Sequence, residues 1–137
     1  MSEKEVRVDC VVRQPIVAGI SEFKGVLRLD VRHHYEQDGD LRPTKRGVNV
    51  PLDDAMELVV AIEQLEQPVE NTAVCKHVDV DVREPLHVSV SVFKNEWRLD
   101  VRHYYNDHGQ WKPGQKGVNL PWVERDKLLA ALYEVLA

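Results

Sequence analysis

Arg28-Leu29-Asp30-Val31-Arg32-His33-His34-Tyr35, then Gly39, then Arg42-Pro43-Thr44-Lys45-Arg46-Gly47-Val48-Asn49-Val50-Pro51, is a stretch that the chain contains twice. The second copy reads Arg98-Leu99-Asp100-Val101-Arg102-His103-Tyr104-Tyr105, then Gly109, then Lys112-Pro113-Gly114-Gln115-Lys116-Gly117-Val118-Asn119-Leu120-Pro121. Arg32 to Arg102 and Gly47 to Gly117 are both separated by 70 positions. Two copies, rather than many, indicate a pseudo-symmetric pair and not a solenoid.

Working outward, each copy sits in the same plan. Val6, Val8, Cys10 and Val12 alternate with polar residues, which predicts a first strand over Val6 to Arg13, and Pro15 breaks the run. Ile16 to Phe23 is a second strand, and Lys24-Gly25 turns the chain into the quoted stretch. There Leu27, Leu29 and Val31 face one way and Arg28, Asp30, Arg32 and His34 the other. Asp38-Gly39 is a hairpin signal, because glycine accepts the positive φ such turns need. Leu41–Arg42 and Arg46–Val50 read as short strands around a turn at Pro43. After Pro51 the period changes. Leu52, Ala55, Met56, Val59, Ile62 and Leu65 recur at helical spacing, with acids in the first turn that suit the helix dipole.

Polar residues with one proline follow and read as a linker over residues 68–76. The second half then repeats the pattern, from a first strand at Val78 to Arg83 through to a helix over Trp122 to Leu136. The expected units are therefore 1–67 and 77–137, an α+β fold of two antiparallel sheets, each followed by one helix. A lone half would bury little surface. The expected closure is an intramolecular pseudo-dimer with the two helices together beneath the sheets.

Composition bounds the function. With 30% charged and 43% apolar residues among 137, the chain has the makeup of a soluble globular protein. Cys10 and Cys75 occupy unmatched repeat positions without metal or redox spacing, so they read as reduced thiols of an intracellular protein. The amino terminus is charged, which argues against a signal peptide, and no apolar run could span a bilayer. The net charge is −5, yet Phe23–Val50 and Phe93–Leu120 each carry +2, leaving −9 elsewhere. A basic surface on an acidic body attracts phosphates locally.

The order Phe-Lys-Gly, Asp-Val-Arg followed by an aromatic, Gly, Lys-Pro-Gly-x-Lys-Gly-Val and a helix resembles the single-stranded-DNA-binding domain of transcriptional positive cofactor four. The resemblance spans Phe23 to about Leu65 and Phe93 to about Leu136. It implies a curved four-stranded sheet plus a helix, a unit that pairs as a homodimer and grips single-stranded nucleic acid on its sheets. Here that dimer would be fused into one chain. Carried across by position, the contacts fall on Phe23, Lys24, Arg32, Tyr35, Arg42 and Arg46, and on Phe93, Lys94, Arg102, Tyr105, Lys112 and Lys116. Thr44 departs from the Pro-Gly pair, Asn95 stands where the first copy has Gly25, and His33 and His103 stand where the family tends to have an acid.

Single-strand binding needs cations that follow a phosphate backbone and π-faces on which unpaired bases stack. Alternation along the strands nominates Arg28 and Arg98 for the first task. Trp111, aligned with Leu41, is either core filler or a stacking platform, whereas Trp97 and Trp122 align with Leu27 and Leu52 and belong to the core. The histidines lack ligand spacing and are expected on the surface or in hydrogen bonds. No nucleophile–base constellation or phosphate-cradling glycine loop is present, so the chain reads as no enzyme, with no cofactor and no metal. Asp30 and Asp100 read as ion-pair partners of the strand arginines.

The sequence thus predicts a non-enzymatic single-stranded-DNA-binding protein, a transcriptional coactivator or DNA-maintenance factor whose partners include the transcription machinery. RNA is the alternative ligand. A protein-interaction module that keeps the fold without the ligand is the alternative class. The prediction requires Arg32 and Arg102 to be open rather than closed into ion pairs, and the tyrosines to face outward over a groove shared by the halves.

Overall fold

The computed structural model describes residues 4–68 and 73–137; residues 69–72 of the expected linker lie outside this range. Two four-stranded antiparallel sheets form, with orders β1-β2-β3-β4 and β5-β6-β7-β8. In the first, β1 is Glu5–Arg7, β2 Ile16–Phe23, β3 Val26–Gln37 and β4 Asp40–Pro51, followed by a short 3-10 turn and helix α1, Ala55–Gln64. In the second, β5 is Val74–Val78, β6 Leu86–Phe93, β7 Glu96–Asp107 and β8 Gln110–Pro121, followed by a second such turn and α2, Arg125–Leu136. The predicted α+β pseudo-dimer is what forms.

The hairpins obey their turn chemistry. Lys24-Gly25, Asp38-Gly39, Lys94-Asn95 and His108-Gly109 all have positive φ, as two-residue turns between twisted strands require. Asn95, at φ 64°, supplies by side-chain tolerance what Gly25 supplies by having none.

One core serves both halves. Leu29, Val31, Val48 and Val50 from the first sheet and Leu99, Val101, Val118 and Leu120 from the second are buried with Leu58, Ile62, Leu128 and Leu132 of the helices. Trp97 and Trp122 pack against this cluster, as expected from their alignment. Helix α1 meets α2, while α2 also lies on β1 and β2 of the first half and α1 on β5 of the second. Each helix therefore covers the other half's sheet, and neither half closes its own core.

Three local expectations are corrected. The first strands are not Val6–Arg13 and Val78–Arg83. Strand β1 ends at Arg7, because the chain must reverse into β2 and residues beyond Val8 have no strand partner. Their alternation has another origin: Cys10 N–H donates to the Val8 carbonyl at 2.9 Å, and Val80 and Val82 repeat this two-residue bond. Each such bond closes a three-residue turn, and Val8, Cys10, Val12, Val80 and Val82 all reach the shared core.

Second, Val74 to Lys76 belong to β5 rather than to a linker. An edge strand that buries only Val78 reads as polar. Third, Pro43 does not turn the chain. Strand β4 runs unbroken from Asp40 to Pro51 and lies at a sheet edge, where the missing N–H of proline costs no ladder bond. What replaces the turn is a bulge, since Arg32 pairs with Gly47 and His34 with Pro43.

Candidate nucleic-acid interface

The bulge is the device that arranges the basic residues. Thr44, Lys45 and Arg46 stand opposite His33 alone, so they are pushed off the sheet. The Thr44 hydroxyl donates to the His33 carbonyl at 2.8 Å and accepts the Arg46 N–H at 3.0 Å, which fixes the excursion. Strand β8 carries the same bulge at Gly114.

On the sheet, Arg32 lies flat across Gly47. A β-carbon at Gly47 would stand 2.7 Å from Cγ of Arg32, and one at Gly117 2.9 Å from Cβ of Arg102. Both guanidinium groups are closed into two-point ion pairs. Arg32 donates from Nε and Nη2 to Asp30 at 3.1 and 2.9 Å, and from Nη1 to the Thr44 carbonyl at 2.8 Å. Arg102 does the same to Asp100 (2.9 and 2.8 Å) and to the Gly114 carbonyl (2.8 Å). Because the acceptor is a backbone carbonyl, Thr44 can replace the glycine without loss. The requirement that these two arginines stand open therefore fails, and Asp30 and Asp100 are the ion-pair partners expected. Each guanidinium keeps two N–H groups that no protein atom takes. Hydrogen bonding to Asp100 holds Arg102 above its ordinary pKa.

The other requirement holds in part: both tyrosines face outward, but of the two only Tyr105 lines a groove shared by the halves. Tyr35 and Tyr105 are exposed at 41% and 42%, Phe23 and Phe93 at 63%, and Trp111 at 52%, which removes Trp111 from the core. Lys24 and Lys94 sit over the Phe23 and Phe93 rings at 5.3 and 5.4 Å. Two grooves run between the halves. The larger, of about 1320 Å³, brings Phe23, Arg28 and Arg32 of the first half together with Tyr105 and Lys116 of the second. The smaller, of about 450 Å³, joins Phe93, Arg98 and Arg102 to Arg46. Each is thus built from both halves. Tyr35, Arg42, Lys24, Lys94, Trp111 and Lys112 lie outside both grooves.

The charges differ in how they are held. Arg28 Nε donates to the Asn49 amide oxygen and Arg46 to that of Gln14, at 2.8 Å for the latter. Neither partner carries charge. Arg98 donates to Asn119 at 2.7 Å but also pairs with Glu96 at 2.5 Å. Lys112 pairs with Asp107 and Lys116 with Glu84, at 2.7 and 2.8 Å. The bond from Lys116 holds the Glu84 carboxyl below its usual range.

Sequence reasoning missed Lys45, Arg13 and Arg83, all of which line a groove. Arg13 and Arg83 recur at the 70-residue offset, a signal that a strand reading of those segments concealed. It also missed the role of His33 and His103. His33 Nδ1 lies 2.8 Å from the Gln14 carbonyl, so it must carry the proton and donate, while Nε2 accepts the Asn119 N–H at 3.2 Å. His103 mirrors this with Glu84 and Asn49. The two imidazoles pin β3 to β8 and β7 to β4.

Among the described residues, no group of three His, Cys, Asp or Glu side chains could hold a metal ion, and no helix is long and apolar enough to cross a membrane. Residues 14–61 and 80–131, more than half of the chain, match the transcriptional coactivator p15 (PC4) family. The chain is also similar to a Drosophila melanogaster RNA polymerase II transcriptional coactivator, 31% identical over 52 residues. That match covers 38% of this chain and 47% of the relative, about half of its length. The twofold match follows the two sheet-and-helix units, and the chain belongs to the transcriptional coactivator p15 (PC4) family.

Proposed function

We propose that this chain is a non-enzymatic single-stranded nucleic-acid-binding protein, with single-stranded DNA as its ligand, acting intracellularly as a transcriptional coactivator or DNA-maintenance factor. The observation that carries this reading is the composite groove, where exposed Phe23 and Tyr105 rings stand beside Arg28, Lys45 and Arg83. Rings accept bases by stacking and the cations follow phosphates, so the ligand is a strand with unpaired bases. Such contacts read little of the base edge, and many sequences are tolerated. The family membership and the coactivator named among its relatives support the same reading.

Fluorescence anisotropy of a labelled oligo(dT) at several salt concentrations tests it. With about six phosphates neutralised, log affinity falls against log salt with a slope of about −4. Absence of binding at low salt ends the proposal. Oligo(U) in parallel decides between DNA and RNA. Charge reversal at Arg28 and Lys45 separates the interaction-module alternative, which predicts that oligonucleotide binding is absent from the outset.

A further inference from the structure

The repeat has diverged in a way that sorts by chemistry. Strands β3 and β4 carry five cations, Arg28, Arg32, Arg42, Lys45 and Arg46, and only Arg32 has a carboxylate within ion-pair distance among the described residues. Strands β7 and β8 carry four, Arg98, Arg102, Lys112 and Lys116, and every one is paired. Three of the acids responsible, Glu84, Glu96 and Asp107, stand 70 positions after the uncharged Gln14, Val26 and Gln37.

The second sheet has gained rings at two positions where the first has none, and a tyrosine where the first has a histidine. His77 and His87 are directly opposite each other on β5 and β6, with ring centroids 5.2 Å apart. His87 lies 4.3 Å from the ring of Tyr104 on β7. The matching positions of the first half are Arg7, Val17 and His34. His87 is paired in register with Arg102, and Ser89, two residues along the same face, lines the smaller groove. The row of rings is therefore a continuation of that groove's floor. Within it, Nδ1 of His87 is buried without a hydrogen-bond partner. Desolvation also pushes the Tyr104 hydroxyl up to about 12.

We propose that the two halves divide the work on one strand, the first holding phosphates by charge and the second holding bases on the His77–His87–Tyr104 row. This rests on the single-stranded nucleic-acid reading above. A cation already balanced by an intramolecular carboxylate brings little net charge to a phosphate, so it adds little to counterion release. A ring adds none. The pseudo-dimer is then directional: a bound strand meets a salt-sensitive half and a salt-insensitive one.

The test uses the full chain and oligo(dT) over a salt series, with circular dichroism confirming that each variant is folded. Arg28→Gln with Lys45→Gln is expected to flatten the salt slope by about 1.4, or 0.7 per phosphate contact. Arg98→Gln with Lys112→Gln is expected to change it by less than half as much. His87→Val with Tyr104→His imports the first half's residues and should lower affinity roughly five- to hundred-fold with no change in slope. On an abasic strand of equal length that last variant should match the unaltered protein. Equal slope changes from the two cation pairs, or undiminished affinity after the ring exchange, overturn the division of labour while leaving strand binding intact. Failure of the unaltered protein to bind oligo(dT) overturns the underlying reading, and this inference with it.

Discussion

His33 on β3 accepts the backbone N–H of Asn119 on β8 through Nε2 at 3.2 Å, across 86 residues of sequence and the boundary between the two halves. Its other nitrogen must be the donor to Gln14, so the imidazole is held neutral in one tautomer. Protonation would place an N–H against the N–H of Asn119, and the same holds for His103 against Asn49.

Stability should therefore fall in acid. Burial lowers the pKa of both histidines, with the cations Arg46, Arg98 and Arg102 around His33, and Lys116 and Arg28 around His103, acting in the same direction. Glu84 opposes this at His103. Unfolded histidine takes up a proton near pH 6.5, whereas the folded residue resists to lower pH. The contribution is complete above about 6.5 and is lost as pH falls from there towards the folded value. With two protons in play the slope reaches about 2.7 kcal/mol per pH unit at most. Denaturant titrations between pH 5 and 8 measure it. His33→Gln with His103→Gln should flatten the slope and lower overall stability by about 1–3 kcal/mol per site.

The glycines beneath the strand arginines should be intolerant of any side chain. At Gly117 an added β-carbon would stand 2.7 Å from the Val101 carbonyl oxygen, a backbone atom that cannot step aside. At Gly47 the nearest atoms belong to the Arg32 side chain, which can swing away at the expense of its pair with Asp30. Each alanine substitution should cost about 1–3 kcal/mol, with Gly117→Ala the larger. Urea midpoints decide, and a larger cost at Gly47 would contradict this ranking.

Tyr105→Ala should separate binding from folding. Its ring is 42% exposed at the larger groove, so removal costs little packing, while the affinity for oligo(dT) should fall by about 1–3 kcal/mol. Tyr35, outside both grooves, should matter less. Anisotropy and thermal melts on the two variants give both quantities. Equal losses of affinity would move the strand's path onto the hairpin arms.

The repeat made most of this fold legible, because the 70-residue offset carries turns, strands and helix together. What it could not carry is what each residue faces. Leu27, Leu29, Val31 and His33 share one strand face, yet Leu27 is 44% exposed and His33 2%. Period alone does not say that the buried imidazole finds its partners in the other half. Alternation at Val8, Cys10 and Val12 looks like a strand because a three-residue turn also returns every second side chain to the core. The pairing of Arg32 with Asp30 was readable from their spacing, but not that it would occupy the guanidinium on three sides. Arg13 and Arg83 were invisible as groove residues because they reach it from segments that lie far from the basic loops in sequence.

Asp30 offers the last prediction, since it both neutralises Arg32 and orients Arg28. Its Oδ1 accepts the Asn49 amide at 3.1 Å, and the oxygen of that amide holds Arg28. Asp30→Asn keeps the shape and removes one negative charge from beside Arg32, which lines the larger groove. The pair is partly exposed, with side chains at 22% and 25%, so the change should cost at most about 1 kcal/mol of stability. Affinity for oligo(dT) should rise at low salt and the slope steepen by about 0.7, as one more cation becomes available to a phosphate. A fall in affinity would show instead that Asp30 presents Arg28 and Arg32 to the ligand, with orientation outweighing the charge it subtracts.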